Sequence, residues 1–243
     1  MKMTAKKKIA IAFSCILAVT AIVAASVMGT VAYLTSSAVV HNTFTIGQVG
    51  ISMTEALVDA NGQAVTGAEA KRVTDNKYTL VPGKTYSKDP IIEVTEGSQD
   101  SYLFVHIKND LKTIAANDTE HPSIATQMAK NGWARYLKGS TGWIYVYCGD
   151  DVTEDDANNE TGWVDGKYTP ETVNTGSYQL FENFTITGSI SETELAPYST
   201  AEIKITAIAI QDDGFDNDIA KAWQAVHATY PYILVPENSS ETP

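Results

Sequence analysis

The amino-acid sequence predicts an all-β protein, a jelly-roll-like antiparallel β-sandwich with two short helices. After residue 45, apolar residues mostly alternate with polar ones or form short β-branched and aromatic runs, as strands do. Turns containing Gly, Pro or Asn separate these runs at short spacing. Helical periodicity is confined to two segments, which favours a sandwich or jelly roll over a mixed fold.

The chain begins with a positively charged segment, residues 2–8, followed by an apolar run over residues 9–32 that contains no acidic residue. This order of charge and hydrophobicity predicts a signal peptide over residues 1–32. Residues 30–32 (TVA) offer a small-any-small cleavage site before Tyr33. The run is also long enough to be a transmembrane anchor, which stays the alternative.

Composition limits the classes of partner. Removal of residues 1–32 takes away four lysines and no acidic residue, so the formal net charge changes from −12 to −16. Such a charge argues against nucleic acid and anionic lipid as partners, because both need basic patches. Cys148 is the single cysteine after the leader, so no intrachain disulfide is expected. An exported protein without disulfides indicates a Gram-positive type of exterior.

The first strands are predicted by alternation and by turns. Residues 49–53 alternate, which predicts a half-buried strand, and residues 61–62 (NG) predict a tight turn. A second strand is predicted over residues 78–81, before a turn at residues 82–83 (PG). Residues 91–94 predict a third strand.

The middle of the chain contains the most apolar segment. Residues 101–108 are apolar on both faces, which predicts a central strand. Residues 110–132 are expected to be helical, with Pro122 in a first turn and a stop at Gly132. Residues 143–148 are aromatic and β-branched, hence a strand, whereas the acidic residues 149–166 predict a long exposed loop.

Two further strands and a helix complete the prediction. The strands cover residues 178–187 and 201–210, and a helical period follows over residues 216–230. Asp216 or Asn217 is expected to cap that helix. The chain then divides into a signal peptide (1–32), an N-terminal arm (33–44), a β-sandwich domain (45–235) and a disordered tail (236–243).

Five blocks of the chain, in this order, resemble the TasA/camelysin family. They are GTVAYLTSSAVVHNTFTIGQVGIS, YTLVPGKTYSKDPIIEV, SYLFVHIKND, NGWARYLKGSTGWIYVYCG and ELAPYSTAEIKITAIAIQDDGF. The resemblance implies a secreted jelly-roll protein whose leader is cut by a dedicated signal peptidase. It also implies self-association into fibres of the cell surface or biofilm matrix, with accessory matrix proteins as possible partners.

The resemblance further implies that the N-terminal segment of one subunit completes a sheet of its neighbour. Carried over, the donor arm is residues 33–44, and its candidate binding residues are Tyr33, Leu34, Val39, Val40, Thr43 and Phe44. An open sheet edge presents unpaired N–H and C=O groups, which an added strand satisfies. The alternative is that this segment is a flexible lead-in or the ordinary first strand of its own domain.

Residue patterns typical of catalysis were also sought. Zinc proteolysis commonly uses two histidines on one helical face with a glutamate between them, and this spacing does not occur. The histidines are isolated in sequence: His41, His106, His121 and His227. Cys148 is expected to be a partly buried, inert thiol. The sequence therefore predicts a protein that is not an enzyme, with a camelysin-like metallopeptidase and a monomeric surface adhesin as alternatives.

Two acidic clusters have the oxygen ligands that calcium prefers, but neither has the spacing of a known calcium loop. They are Asp150, Asp151, Glu154, Asp155, Asp156 and Glu160, and Asp212, Asp213, Asp216 and Asp218. Solvated surface charge is the favoured interpretation of both, so no cofactor is predicted. The aromatic residues Trp133, Trp143, Tyr145 and Tyr147 are expected to form core rather than a sugar-binding platform.

Overall fold

Antiparallel strands are the main regular secondary structure in the part of the chain that the computed structural model describes, which is residues 35–39, 42–43, 49–154, 156, 162–163, 167–215 and 218–229. Numbered along the chain, six strands form the largest sheet, and each is hydrogen-bonded to the next in this order. They are β2 (Asn42–Thr43), β1 (Thr35–Val39), β12 (Ile203–Gln211), β7 (Ser101–Asn109), β9 (Trp143–Tyr147) and β8 (Trp133–Lys138).

A four-stranded sheet and a two-stranded sheet complete the β-structure of the described residues. The four-stranded sheet consists, in spatial order, of β10 (Gly176–Gln179), β6 (Ile91–Val94), β3 (Ile51–Ala56) and β4 (Arg72–Val73). The two-stranded sheet pairs β11 (Asn183–Thr185) with β5 (Thr85–Ser87). Every strand pair is antiparallel. The prediction of antiparallel β-structure with few helices is confirmed.

Two hydrophobic clusters lie on opposite faces of the six-stranded sheet. The inner core, between this sheet and the smaller ones, contains Leu103 and Val105 of β7 together with Ile51 and Ile92. The outer core contains Tyr102 and Phe104 of β7, Ile208 and Ile210 of β12, and Trp223. Since successive side chains of a strand point to opposite faces, β7 is buried on both. The predicted central strand is confirmed.

Three α-helices occur in the described residues, one more than predicted: α1 (Ile124–Lys130), α2 (Glu192–Leu195) and α3 (Ile219–Thr229). Of the helix expected over residues 110–132, only α1 forms. It starts after Ser123, whose hydroxyl accepts a hydrogen bond from the Thr126 N–H. The stop at Gly132 is confirmed, because this residue adopts a φ of 85° that favours glycine.

The helix predicted near the end of the chain is confirmed as α3. Its first turn is capped by Asp218, whose carboxylate accepts hydrogen bonds from the N–H groups of Ala220 and Lys221, each 3.1 Å long. The predicted caps, Asp216 and Asn217, lie outside the described residues. Trp223 attaches the helix to the sheet, with its ring 5.0 Å from that of Phe104.

One predicted strand is wrong, and another is divided into two strands. Residues 78–81 form no strand, because the hydroxyl of Tyr86 bonds their backbone instead: it accepts from the Val81 N–H and donates to the Thr79 carbonyl, both at 2.7 Å. The strand predicted over residues 178–187 is interrupted between β10 and β11, where the side-chain oxygen of Gln127 accepts from the Glu182 N–H.

The exposed loop predicted over residues 149–166 is wrong for several residues that the structure describes. Gly149, Val152 and Asp156 are buried. Asp156 accepts hydrogen bonds from Lys167, from the Tyr168 hydroxyl at 2.9 Å and from Thr153. Although burial raises the pKa of this carboxyl, the hydrogen bonds outweigh that effect and lower it to about 2. An acidic side chain thus serves as a structural anchor.

Candidate functional site

The predicted donor arm lies partly outside the described residues. Val39 belongs to β1 and Thr43 to β2. The other candidate residues of the arm are outside the described part: Tyr33, Leu34, Val40 and Phe44. In the single chain, β1 is a strand of its own sheet, antiparallel to β12.

Strand β12 has two flanks that are covered to different extents. On one flank, β7 pairs with all nine residues of β12, from Ile203 to Gln211. On the other flank, β1 pairs with five residues, from Thr206 to Ile210. Residues 203–205 therefore have no strand partner on the β1 side among the described residues. Unpaired N–H and C=O groups are a template for strand addition. We call this part of β12, which lacks a strand partner on the β1 side among the described residues, the open edge.

Strand β1 ends where the chain turns back. Val39 pairs with Asn42 of β2, and Ala38 pairs with Thr43. The antiparallel pairing requires the chain to reverse direction between Val39 and Asn42. Strand β2 therefore lies on the far side of β1 and leaves the beginning of β12 uncovered.

A cleft of about 960 Å³ lies beside this uncovered part of β12. Ile203 and Lys204 of β12 line it, together with Ala201 just before the strand. The irregular segment 75–82 also lines it. Buried apolar side chains line it as well: Leu111, Phe184 and Leu195. Such a mixture of apolar surface with a few polar groups is typical of binding clefts.

A buried ion pair also lines the cleft. The Lys88 ammonium lies 2.5 Å from the Glu55 carboxylate, and their side chains are 9% and 3% exposed. The second oxygen of Glu55 accepts a hydrogen bond from the Asn76 amide at 3.0 Å. Desolvation of two charges is costly, so both partners are needed for either to be tolerated. The pair fixes the end of β3 against the segment after β5.

Aromatic rings surround the ion pair. The Tyr78 ring contacts Tyr86 and Phe184 edge-on, with centroids 5.8 and 5.4 Å away. Lys88 lies 5.9 Å from the Tyr78 ring centre. Burial, followed by the charge of Glu55, raises the pKa of the Tyr78 phenol well above its usual range. This hydroxyl stays protonated and donates to the Ser87 carbonyl.

The acidic residues suggested for calcium have separate roles where the structure describes them. Asp218 caps α3. The pKa of the Asp212 carboxyl is raised by burial and by Asp100 and Asp213, and Asp216 lies outside the described residues. In the described part of the chain, no group of three or more His, Cys, Asp or Glu side chains is arranged to hold a metal ion.

Each histidine of the described residues has its own, separate surroundings. His121 contacts Asp118 at 3.2 Å, and His227 lies on α3. His106 lies on β7 near Thr141, at 3.4 Å, and its pKa is lowered by burial and by Lys204. His41 lies outside the described part.

Cys148 is more completely buried than predicted, with 3% of the residue exposed. Burial raises the pKa of its thiol to about 12, so the reactive thiolate is scarce at neutral pH. Trp133, Trp143 and Tyr145 are buried in the inner core, which confirms that these aromatic residues are core.

The cleft was not predicted from the sequence, since its walls are far apart along the chain. Glu55 and Lys88 are 33 residues apart, and Ile203 is farther still. One local signal existed for α2: Ser191 and Glu194 have the spacing of a capping box, which the structure contains.

Comparisons of the chain with protein-family models, with curated proteins and with solved structures found no match. Among the described residues, no helix has the length and hydrophobicity needed to cross a membrane.

Proposed function

We propose that this chain is an exported structural protein whose copies polymerise into cell-surface or matrix fibres by exchanging their N-terminal arms. In the exchange, β1 of one copy leaves its own β12 and pairs with β12 of the next copy. The finer architecture that we propose is a jelly-roll-like sandwich closed by this strand. The resemblance to the TasA/camelysin family supports the proposal.

The observation that carries the proposal is the position of β1. It is the first described strand, it pairs with β12 over only five residues, and its other neighbour is the two-residue strand β2. If β1 and β2 left the sheet together, the other described strands would keep the rest of their pairings. Removal of β1 and β2 would expose the backbone groups of β12, an apolar strand that a second arm can cover.

Composition of the arm supports a reversible contact. Strand β1 reads TSSAV, whereas β7, on the other flank of β12, reads SYLFVHIKN. Small and polar side chains bury little apolar area, so their release costs less free energy than release of large apolar ones. The backbone hydrogen bonds that break within one molecule form again between two.

The test is a reversible lock of β1 onto its own sheet. Val39 and Thr206 are register partners, and opposite residues of an antiparallel pair are at a distance that a disulfide spans. The mature protein carrying Val39→Cys and Thr206→Cys is oxidised as a dilute monomer. We expect the oxidised monomer not to form fibres by electron microscopy, and fibres to appear after reduction.

The matched control carries Val39→Cys and Gln211→Cys, which are not register partners and cannot form the lock. Deletion of residues 33–44 is the second test, and a folded monomer that does not polymerise is expected. Fibres formed equally well by the oxidised, locked protein would overturn the proposal. So would a reduced protein that stays monomeric at every concentration.

A further inference from the structure

The starting observation is the difference in length between β12 and the strand that covers its outer flank. Strand β12 has nine residues, and β1 pairs with five of them. Of the four residues that β1 does not pair with, Gln211 lies at one end of β12, and 203–205 lie at the other end, beside the cleft. Two residues of the open edge, Ile203 and Lys204, therefore also line the cleft.

The connection to the rest of the chain explains why β1 stops early within one molecule. After the arm, the chain has to enter β3, which belongs to the four-stranded sheet. It turns back at β2 instead of continuing along β12. An arm supplied by another copy leads to the β3 of its own molecule, so it is free of this constraint.

The register of β1 shows which residues such an arm would bring to the uncovered part. Thr35 pairs with Ile210 and Val39 with Thr206. If the arm of another copy continued in the same register, its residues 40, 41 and 42 would lie opposite 205, 204 and 203, and its residue 44 would lie opposite Ala201. Opposite residues of an antiparallel pair share a face, and alternate residues along a strand share a face. Residues 40, 42 and 44 therefore share the face on which Ile205 packs in the inner core.

We infer that the arm of a second copy pairs with the full length of β12 and places Phe44 in the cleft beside Ala201. The inference rests on the arm exchange proposed above and adds to it a binding site for an aromatic side chain. Three observations support this occupant: the continuous register, the apolar side chains of Leu111, Phe184 and Leu195 that line the cleft, and its position at the end of the open edge.

Full burial of a phenylalanine side chain strengthens an association by about one to two powers of ten. The Phe44→Ala variant is accordingly expected to raise the lowest concentration at which fibres form by about tenfold or more. Phe44→Leu, which keeps a large apolar side chain, is expected to raise it much less. The folded monomer is monitored in parallel by its unfolding midpoint.

The first experiment measures the register in fibres by disulfide formation between two different variants, each with one introduced cysteine. A mixture of His41→Cys and Lys204→Cys proteins is polymerised, oxidised and analysed on a denaturing gel. A disulfide between different variants is intermolecular by construction. A mixture of Val39→Cys and Thr206→Cys proteins reports the part of the register seen in one molecule, and His41→Cys with Gln211→Cys is the off-register control.

The outcomes separate the inference from the proposal on which it rests. Cross-links in both register mixtures, several-fold above the control, support the inference. A cross-link between positions 39 and 206 but none between 41 and 204 would overturn the extended pairing and leave arm exchange intact. Absence of both cross-links from fibres would overturn arm exchange itself. Cys148 is buried in the folded protein, and alkylation of free thiols before denaturation prevents it from forming disulfides on the gel.

The second experiment blocks the cleft. Ala196 is exposed and lines it, whereas Thr193 is exposed nearby and does not. Ala196→Trp is expected to raise the lowest concentration for fibre formation about as much as Phe44→Ala, and Thr193→Trp to leave it unchanged. Combination of Ala196→Trp with Phe44→Ala is expected to add little to either. Equal polymerisation of the two tryptophan variants would overturn the assignment of Phe44 to the cleft.

Discussion

The two flanks of β12 differ in both length and chemistry. The β7 flank is paired over nine residues and continues into cores on both faces of the sheet. The β1 flank is paired over five residues, by a strand of small and polar residues. One flank therefore belongs to the permanent structure of the domain, and the other has the features of a contact that can be exchanged.

The β7 flank is expected to tolerate little change. Phe104 is fully buried and contacts the rings of Tyr136 and Trp223. Phe104→Ala should lower the free energy of unfolding by about 4 kcal/mol, because it removes a large side chain and leaves a cavity. Urea unfolding followed by circular dichroism measures this loss. Leu137→Ala, at a position that is 40% exposed, is the control and should cost under about 1 kcal/mol. A loss below that of the control would contradict a permanent β7 flank.

The ion pair of the cleft is expected to belong to the permanent part as well. Lys88→Met leaves the Glu55 carboxylate buried without its partner, which should cost about 3 kcal/mol. The double variant Glu55→Gln with Lys88→Met removes both charges and should recover most of the loss. Urea unfolding of both variants checks this. If the double variant were less stable than the single one, the charge of Glu55 would not be the cause.

The strands of the permanent part were easier to predict from the sequence than the rest. Residues 101–108 and 143–148 are long apolar runs, and burial on both faces leaves no other consistent structure for them. The strand over residues 178–187 was predicted too long. The pattern does not show that Gln127, far away in sequence, bonds the backbone at Glu182. Such side-chain bonds to distant backbone are decided by tertiary structure.

The cleft and the open edge could not be predicted for a related reason. Alternation in residues 201–210 predicts a strand, but it does not show how many residues each neighbour covers. That number depends on where the chain leaves for the next sheet, here at β2. The burial of Asp156 was missed because acidic residues usually indicate solvent-exposed chain. Its partners Lys167 and Tyr168 are 11 and 12 residues away in sequence, and no local pattern connects them to Asp156.

The β1 flank is expected to respond to proline in an alternating manner. In an antiparallel pair, the N–H groups of successive residues point to opposite sides of the strand. Of Ser36→Pro and Ser37→Pro, one removes a hydrogen bond to β12 and the other does not. We expect the variant that loses a hydrogen bond to β12 to destabilise the monomer by about 1 kcal/mol more than the other variant. Urea unfolding of both measures this difference. Equal losses of several kcal/mol from both would show that β1 is as permanent as β7.

Protonation of His106, on the β7 flank, is expected to change the free energy of unfolding only slightly. Burial, followed by the charge of Lys204, lowers the pKa of His106 below its ordinary 6.5. The unfolded chain then binds a proton more readily than the folded one, so the contribution of neutral His106 is fully present above about pH 6.5. It is lost as the pH falls from there toward the lowered value. The stability of His106→Gln should therefore change less over this range, by under about 1 kcal/mol. Urea midpoints at pH 7.5, 6.5 and 5.5 measure the difference. Parallel pH curves of stability for the two proteins would mean that His106 is not the group responsible. Polymerisation measured at the same pH values would show whether the β1 flank responds to pH independently of His106.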